Sequence, residues 1–257
     1  MKKLILVLCC TAAFGYSQTN TSFKTIHVFV ALCDNINQGI IPVPSKLGNG
    51  QDIKGNLYWS ALYGVKTHFK NSKDWTLISS EKDIGNHILE RVLFKHKTTN
   101  TYLLADAYDG KYIKQATIDF LEASAGRNVI AVMNKEDTLT FGGGAQLLSY
   151  IGHDGLMEFS AEGKFQPINK MKRDVIILAC ISKDYFKPYL EQTKANPLVW
   201  TTGLMAPEAY TLKWAIDGWI LNETDSQISE RAAKAYHHYQ KCGLKGAKRL
   251  LVTGYGP

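Results

Sequence analysis

The chain has 257 residues, of which 45% are hydrophobic and 21% charged. That balance is the profile of a globular protein rather than a disordered or fibrous one and points to one large domain, or one with embellishments. The formal net charge of +7 comes without a dense Lys/Arg run interleaved with aromatics, so nucleic acid is not an expected partner.

Residues 1–17 read as a targeting segment. Lys2 and Lys3 open it, Leu4 through Phe14 form a short apolar core, and Gly15 and Ser17 are small residues suited to cleavage. Tyr16 to Asn20 cuts the apolar run short of the roughly twenty residues that span a bilayer. The expectation is therefore an exported chain, periplasmic or extracellular, beginning at Gln18 and free of the membrane once the leader is removed. Residues 18–257 then form a single α/β domain with a C-terminal helical extension. Cleavage removes two lysines and no acids, which lowers the charge from +7 to +5, and leaves three cysteines, Cys33, Cys180 and Cys242. An odd number leaves at least one thiol without an intrachain partner.

Ile26–Leu32 is a continuous apolar run of the length of a buried strand. The loop that follows, Asn35 to Asn56, carries Pro42, Pro44, Gly48, Gly50 and Gly55 together with Ile40, Ile41, Val43 and Leu47, so it should be long and ordered. Leu57 to Phe69 has helical spacing, Trp75–Ile78 is a short strand, and His87–Phe94 and Thr101–Ala105 flank a hairpin turn at Lys97–Asn100. Lys111 to Ala125 is a second helix stopped by Gly126. Asn128–Met133 is another apolar strand, and Phe141 to Gly144 is a turn lacking the Lys-Ser/Thr of a phosphate loop.

Two apolar runs then end at reactive side chains. Leu147–Gly152 leads into His153-Asp154-Gly155, and Asp174–Ala179 leads into Cys180-Ile181-Ser182. As neighbouring parallel strands they would place an imidazole and a thiol on the sheet edge where open α/β sheets bind their ligands. Pro197–Gly203 is one more buried strand, Glu208–Leu221 a helix behind it, Ser229–Cys242 a last helix, and 244–257 a tail. The alternation predicts an α/β fold with a mostly parallel sheet in a three-layer α/β/α sandwich.

A thiol beside an imidazole is the minimal set for nucleophilic catalysis, with Cys180 as nucleophile and His153 as base. Backbone N–H groups at Gly155 and Cys180 are the candidate oxyanion donors. Asp34, following the first strand, is a candidate to line the same crevice and favour a basic substrate side chain. Cys33 is alternatively a disulfide partner for Cys180, which would remove the dyad. His237 and His238 are adjacent on a helix and point apart, so they make a poor metal pair. No metal and no cofactor are called for.

The order of strand, histidine in a glycine turn, strand, and Ala179-Cys180 resembles the caspase-hemoglobinase fold of cysteine peptidases, the group of caspases, legumain and gingipains. The resemblance extends over roughly Ile26 to Leu221. It implies a caspase-like endopeptidase acting on a peptide or protein, with Asp154 and Thr202 beside Asp34 at the substrate crevice. The family has glycine directly after the histidine, whereas this chain reads His153-Asp154-Gly155; the acid either orients the imidazole or displaces the oxyanion donor. The rival expectation is an inactive caspase-like protein that binds a peptide partner in the same crevice. An α/β-hydrolase is disfavoured because no Gly-x-Ser-x-Gly turn exists.

Overall fold

The computed structural model describes residues 23–134 and 137–256; the expected leader, with Cys9 and Cys10, lies outside them. The apolar run near the start becomes β1 (Lys24–Ala31), the centre of the sheet. β1 pairs in parallel with β4 (Thr101–Tyr108) on one side and β7 (Leu147–Ile151) on the other; β7 continues to β8 (Asp174–Leu178) and β8 to β9 (Asn196–Thr201), all parallel. β2 (Trp75–Lys82) and β3 (Ile88–His96) extend the β4 side, and β10 (Leu251–Val252) caps β9, all antiparallel. Among the described residues this is an eight-stranded, mostly parallel mixed sheet of order β10-β9-β8-β7-β1-β4-β3-β2.

Strand pleating sends alternate side chains to opposite faces. Ile26, Val28 and Val30 join a core with α1 (Val65–Asn71), α4 (Ala209–Ile220) and α5 (Asp225–Gln240), through Phe69, Ile216 and Ala232 among others. Phe29 and Ala31 join the opposite core with α2 (Ile113–Ser124) and α3 (Ser182–Thr193), through Phe120 and Phe186. Both faces of β1 are therefore covered, which is why its sequence is apolar without alternation.

Several sequence expectations change. The helix expected over 57–69 begins only at Val65. Asn56 folds the preceding residues into turns: its Oδ1 accepts from the N–H of Cys33 and Tyr58, and its carbonyl accepts from Ser60 and Ala61. The strand expected at 128–133 forms β5 (Ile130–Asn134), but it pairs with β6 (Asp137–Phe141) in a separate two-stranded hairpin. The glycine turn behind it is structural: Gly143 O accepts from the Arg173 guanidinium, and a Cβ at Gly143 would lie 2.2 Å from the Gly126 backbone. Helix α3, with Pro188 inside it, and the short α6 (Leu244–Leu250) and β10 were not anticipated. Thr224 starts α5 before Ser229 through a reciprocal capping box with Gln227. The C-terminal helices are part of the main core, to which α5 contributes Ile228, Ala232, Ala235 and Tyr236.

Candidate active site

The last registered pair of β7 and β8 is Ile151 with Leu178, and both side chains enter the same core. His153 and Cys180 stand two residues further along each strand. Both therefore stand at the C-terminal edge of the sheet, just past the last paired residues of neighbouring strands. Cys180 meets Met205, a residue of that core, and Glu158, which holds His153, also takes the N–H of Gly39 at 2.6 Å, next to Ile40 packed on the same core. At Gly152 the chain turns with φ +155°, and a Cβ there would lie 2.8 Å from the Ala31 carbonyl, so glycine is required for the exit from β7.

Cys180 sits in a strained strand-to-helix turn. Ile181, between the cysteine and α3, has φ +52° and ψ +29°, a left-handed conformation that is an outlier for a β-branched residue. Hydroxyls hold it in place. Ser182 Oγ donates to Ile177 O at 3.1 Å and accepts from Thr201 N–H at 3.0 Å, while Thr201 Oγ1 accepts from Ser182 N–H at 3.1 Å and donates to Ala179 O. Ile181 N–H adds a bond to Gly203 O at 2.9 Å. The clamp ties the end of β8 to the end of β9 and sets where the thiol points.

The thiol is half-buried. Met205 N–H donates to Sγ at 3.4 Å, and the Met205 carbonyl lies 3.6 Å away as acceptor. Burial pushes the Cys180 pKa up, the Met205 N–H works against this, and the Asp154 carboxyl raises it further. At rest the group is a thiol, so a nucleophilic role needs a base to remove its proton during attack.

His153 is 8% exposed, and its Nε2 donates to Glu158 Oε1 at 2.6 Å. A carboxylate only accepts, so this bond places a proton on Nε2, and in the neutral ring Nδ1 is then the acceptor. The ring is also positioned through its backbone, since Tyr150 OH donates to His153 O at 2.9 Å. His153 and Cys180 stand at the same edge of the sheet, past neighbouring strands, and share no hydrogen bond.

Asp154 is fully buried. Its Oδ1 accepts from Leu156 N–H at 3.1 Å, while Oδ2 has no hydrogen-bond partner among the described residues. Burial drives its pKa up to about 7, with the Leu156 N–H opposing and Glu158 adding to the rise. Gly155 opens a 3-10 turn over Gly155–Met157, and a Cβ there would stand 2.5 Å from the Phe159 ring.

The other expected site residues are placed differently. Asp34 is 1% exposed and spends its oxygens inside its own loop, on the N–H of Ile36 and Asn37 and on the side-chain amides of Asn37 and Gln51. It anchors the 35–56 loop and does not line an open crevice. Thr202 is exposed beyond β9, with its hydroxyl donating to Arg249 O at 2.7 Å. Cys33, Cys180 and Cys242 are all free, so the alternative disulfide between Cys33 and Cys180 is not formed. Burial pushes the Cys33 thiol up to about 11, the behaviour of an inert core cysteine. His237 serves the end of α5, where its Nδ1 accepts from Gly243 N–H.

Sequence reasoning missed Glu158, Ser182, Thr201 and the Met205 backbone. Glu158 carried a weak signal, an acid five residues past a histidine in a glycine turn. Met205 carried none, because its contribution is main-chain. Among the described residues no group of three or more His, Cys, Asp or Glu could hold a metal, and no helix is long and apolar enough to cross a membrane. Comparison with protein-family models, curated proteins and solved structures found no match to this chain.

Proposed function

We propose that this chain is an exported cysteine peptidase of caspase-like, three-layer α/β/α fold, with Cys180 as nucleophile and His153 as the base. The observation that carries the reading is a strained turn that follows Cys180 just past the end of β8, with His153 just past the end of the neighbouring parallel strand β7. Strain of this kind costs about 1–3 kcal/mol and persists where surrounding bonds over-determine it, most often at functional sites. In this reading His153 Nδ1 takes the Cys180 proton as Sγ attacks the peptide carbonyl carbon. The C–N bond breaks, the proton passes to the leaving amine, and water then hydrolyses the thioester. Glu158 holds the imidazole in the tautomer this requires. Backbone N–H groups at Gly155 and Cys180 are the oxyanion donors of this reading, while Asp154 is buried beneath the site and Thr202 is turned to Arg249, so neither is given a substrate contact. The Cys–His contact closes when substrate binds, since catalytic bonds are commonly long in empty sites.

A second reading, a peptide-binding protein without catalysis, is favoured by one observation: the thiol is engaged by Met205 and its pKa is raised rather than lowered. An electrophilic peptide probe separates the two. Peptidase chemistry gives labelling at Cys180 that is lost in His153→Ala. Peptide binding without labelling gives the second reading.

A further inference from the structure

A concavity of about 530 Å³ lies on the α2 face of the sheet and is lined by residues of β1, β3 and β4. On this face α2 packs against β1 and β7. The space over β3 and β4 is walled instead by the 84–88 loop and by the base of the β5–β6 hairpin. Its volume is that of a small-molecule pocket.

The floor carries a balanced charge group. Arg91 of β3 stands opposite Asp106 of β4 and grips it bidentately, Nε to Oδ1 and Nη2 to Oδ2, each at 2.6 Å. His27 Nε2 adds a bond to Asp106 at 3.0 Å, and His27 Nδ1 takes the Gly142 N–H at 3.1 Å. Asp106 is thus matched by a cation.

The wall is not balanced. Asp119, on α2, also lines the cavity and accepts only from neutral donors, Tyr108 OH at 2.9 Å and Gln115 Nε2 at 2.7 Å. Both donors point their hydrogens at Asp119, so the Tyr108 hydroxyl oxygen and Gln115 Oε1 are left as acceptors beside it. With the Arg91 and Asp106 charges cancelling, the cluster presents one uncompensated carboxylate and two neutral acceptors. Three acceptors and one negative charge suit the three N–H donors of a primary ammonium.

We propose that this cavity binds a small primary amine, its ammonium group seated on Asp119, Tyr108 and Gln115. The ammonium belongs either to a free diamine or to an α-amino acid, whose carboxylate would meet the outer edge of Arg91. The inference does not depend on the peptidase reading.

The test is calorimetric titration of the full chain with 1,4-diaminobutane, with 1,4-butanediol of the same length, and with alanine. The expected result is binding of the diamine or of alanine but not of the diol, weakened roughly tenfold or more in Asp119→Asn. Alanine binding more tightly than the diamine would assign the amino-acid source. Equal binding of diol and diamine, absence of binding by either amine, or unchanged affinity in Asp119→Asn would overturn the proposal. The comparison of diol with diamine uses the unaltered chain, so it stands even if the variant misfolds.

Discussion

Asp154→Asn should make the protein more stable at alkaline pH. The carboxyl is fully buried, one oxygen has no partner, and burial holds its pKa at about 7 against an ordinary 3.8. Below pH ~4 it is protonated in both the folded and the unfolded chain and contributes nothing. Between pH ~4 and ~7 the fold retains a proton that the unfolded chain has released, so stability falls as pH rises, and above pH ~7 the full cost is present. About three pH units at 1.36 kcal/mol each amount to roughly 4 kcal/mol. Asparagine keeps the acceptor for Leu156 N–H but buries an unpaired amide, which returns about 1–3 kcal/mol of that gain. The expected net effect is a gain of about 2 kcal/mol at pH 8 and a loss of about 1 kcal/mol at pH 4.5, where the carboxylate cost has nearly gone and the unpaired amide remains, read from urea unfolding at the two pH values. Parallel behaviour of variant and parent across this range would refute the reasoning. Because Asp154 also raises the Cys180 pKa, the variant should alkylate faster at Cys180 at pH 8. Such a gain would mean that the native carboxylate is kept at a cost in stability, as functional groups often are.

Glu158→Gln removes the carboxylate that holds His153; on the peptidase reading, peptide hydrolysis should fall by about 10- to 100-fold, with a melting temperature near that of the parent because Glu158 is partly exposed. Ser182→Ala leaves the buried Thr201 N–H without its acceptor, and chemical denaturation should show a loss of about 1–3 kcal/mol. Ile181→Asn places a residue tolerant of the left-handed region where a β-branched one is strained, so unfolding should require about 1 kcal/mol more. Asp106→Asn strips Arg91 and His27 of their common partner and should cost about 3–5 kcal/mol. Burial pushes the Asp106 carboxyl up, but Arg91 and His27 together outweigh it and hold the pKa below the usual range. Its contribution is therefore present above pH ~4 and lost as pH falls through the folded pKa, so Asp106→Asn should flatten the acid limb of a pH–stability profile.

The parallel core of the sheet was legible because β1, β7, β8 and β9 are buried on both faces and write that burial as unbroken apolar runs. The β3–β4 hairpin was legible from its polar turn. Helix α3 was not, since Pro188 and its charged, largely exposed face obscure the period carried by Phe186 and Leu190. The failed start of α1 has a tertiary cause: Leu57, Ala61 and Leu62 have helical spacing, but Asn56 diverts the backbone bonds there into turns. β5 has the residues of a strand and the position of a peripheral hairpin, and strand propensity does not say which sheet a strand joins. At the site, Cys180 and His153 were visible as residue types at strand ends. The partners that orient them, Glu158, Ser182, Thr201 and the Met205 backbone, act through contacts that strand spacing does not encode. Asp34 shows the converse, a well-placed acid whose oxygens turn out to be consumed by its own loop.

The central claim is that Cys180 becomes covalently bonded to substrate with the help of His153. Its most direct measurement is mass spectrometry of the intact protein after incubation with a peptide ester, followed by mapping of the acylated residue. A Cys180–His153 dyad gives one acyl group on Cys180 in the native chain, none there in Cys180→Ala, and at least a hundredfold slower acylation in His153→Ala. Acylation of Cys242 instead, or of Cys180 at an unchanged rate without His153, would contradict it.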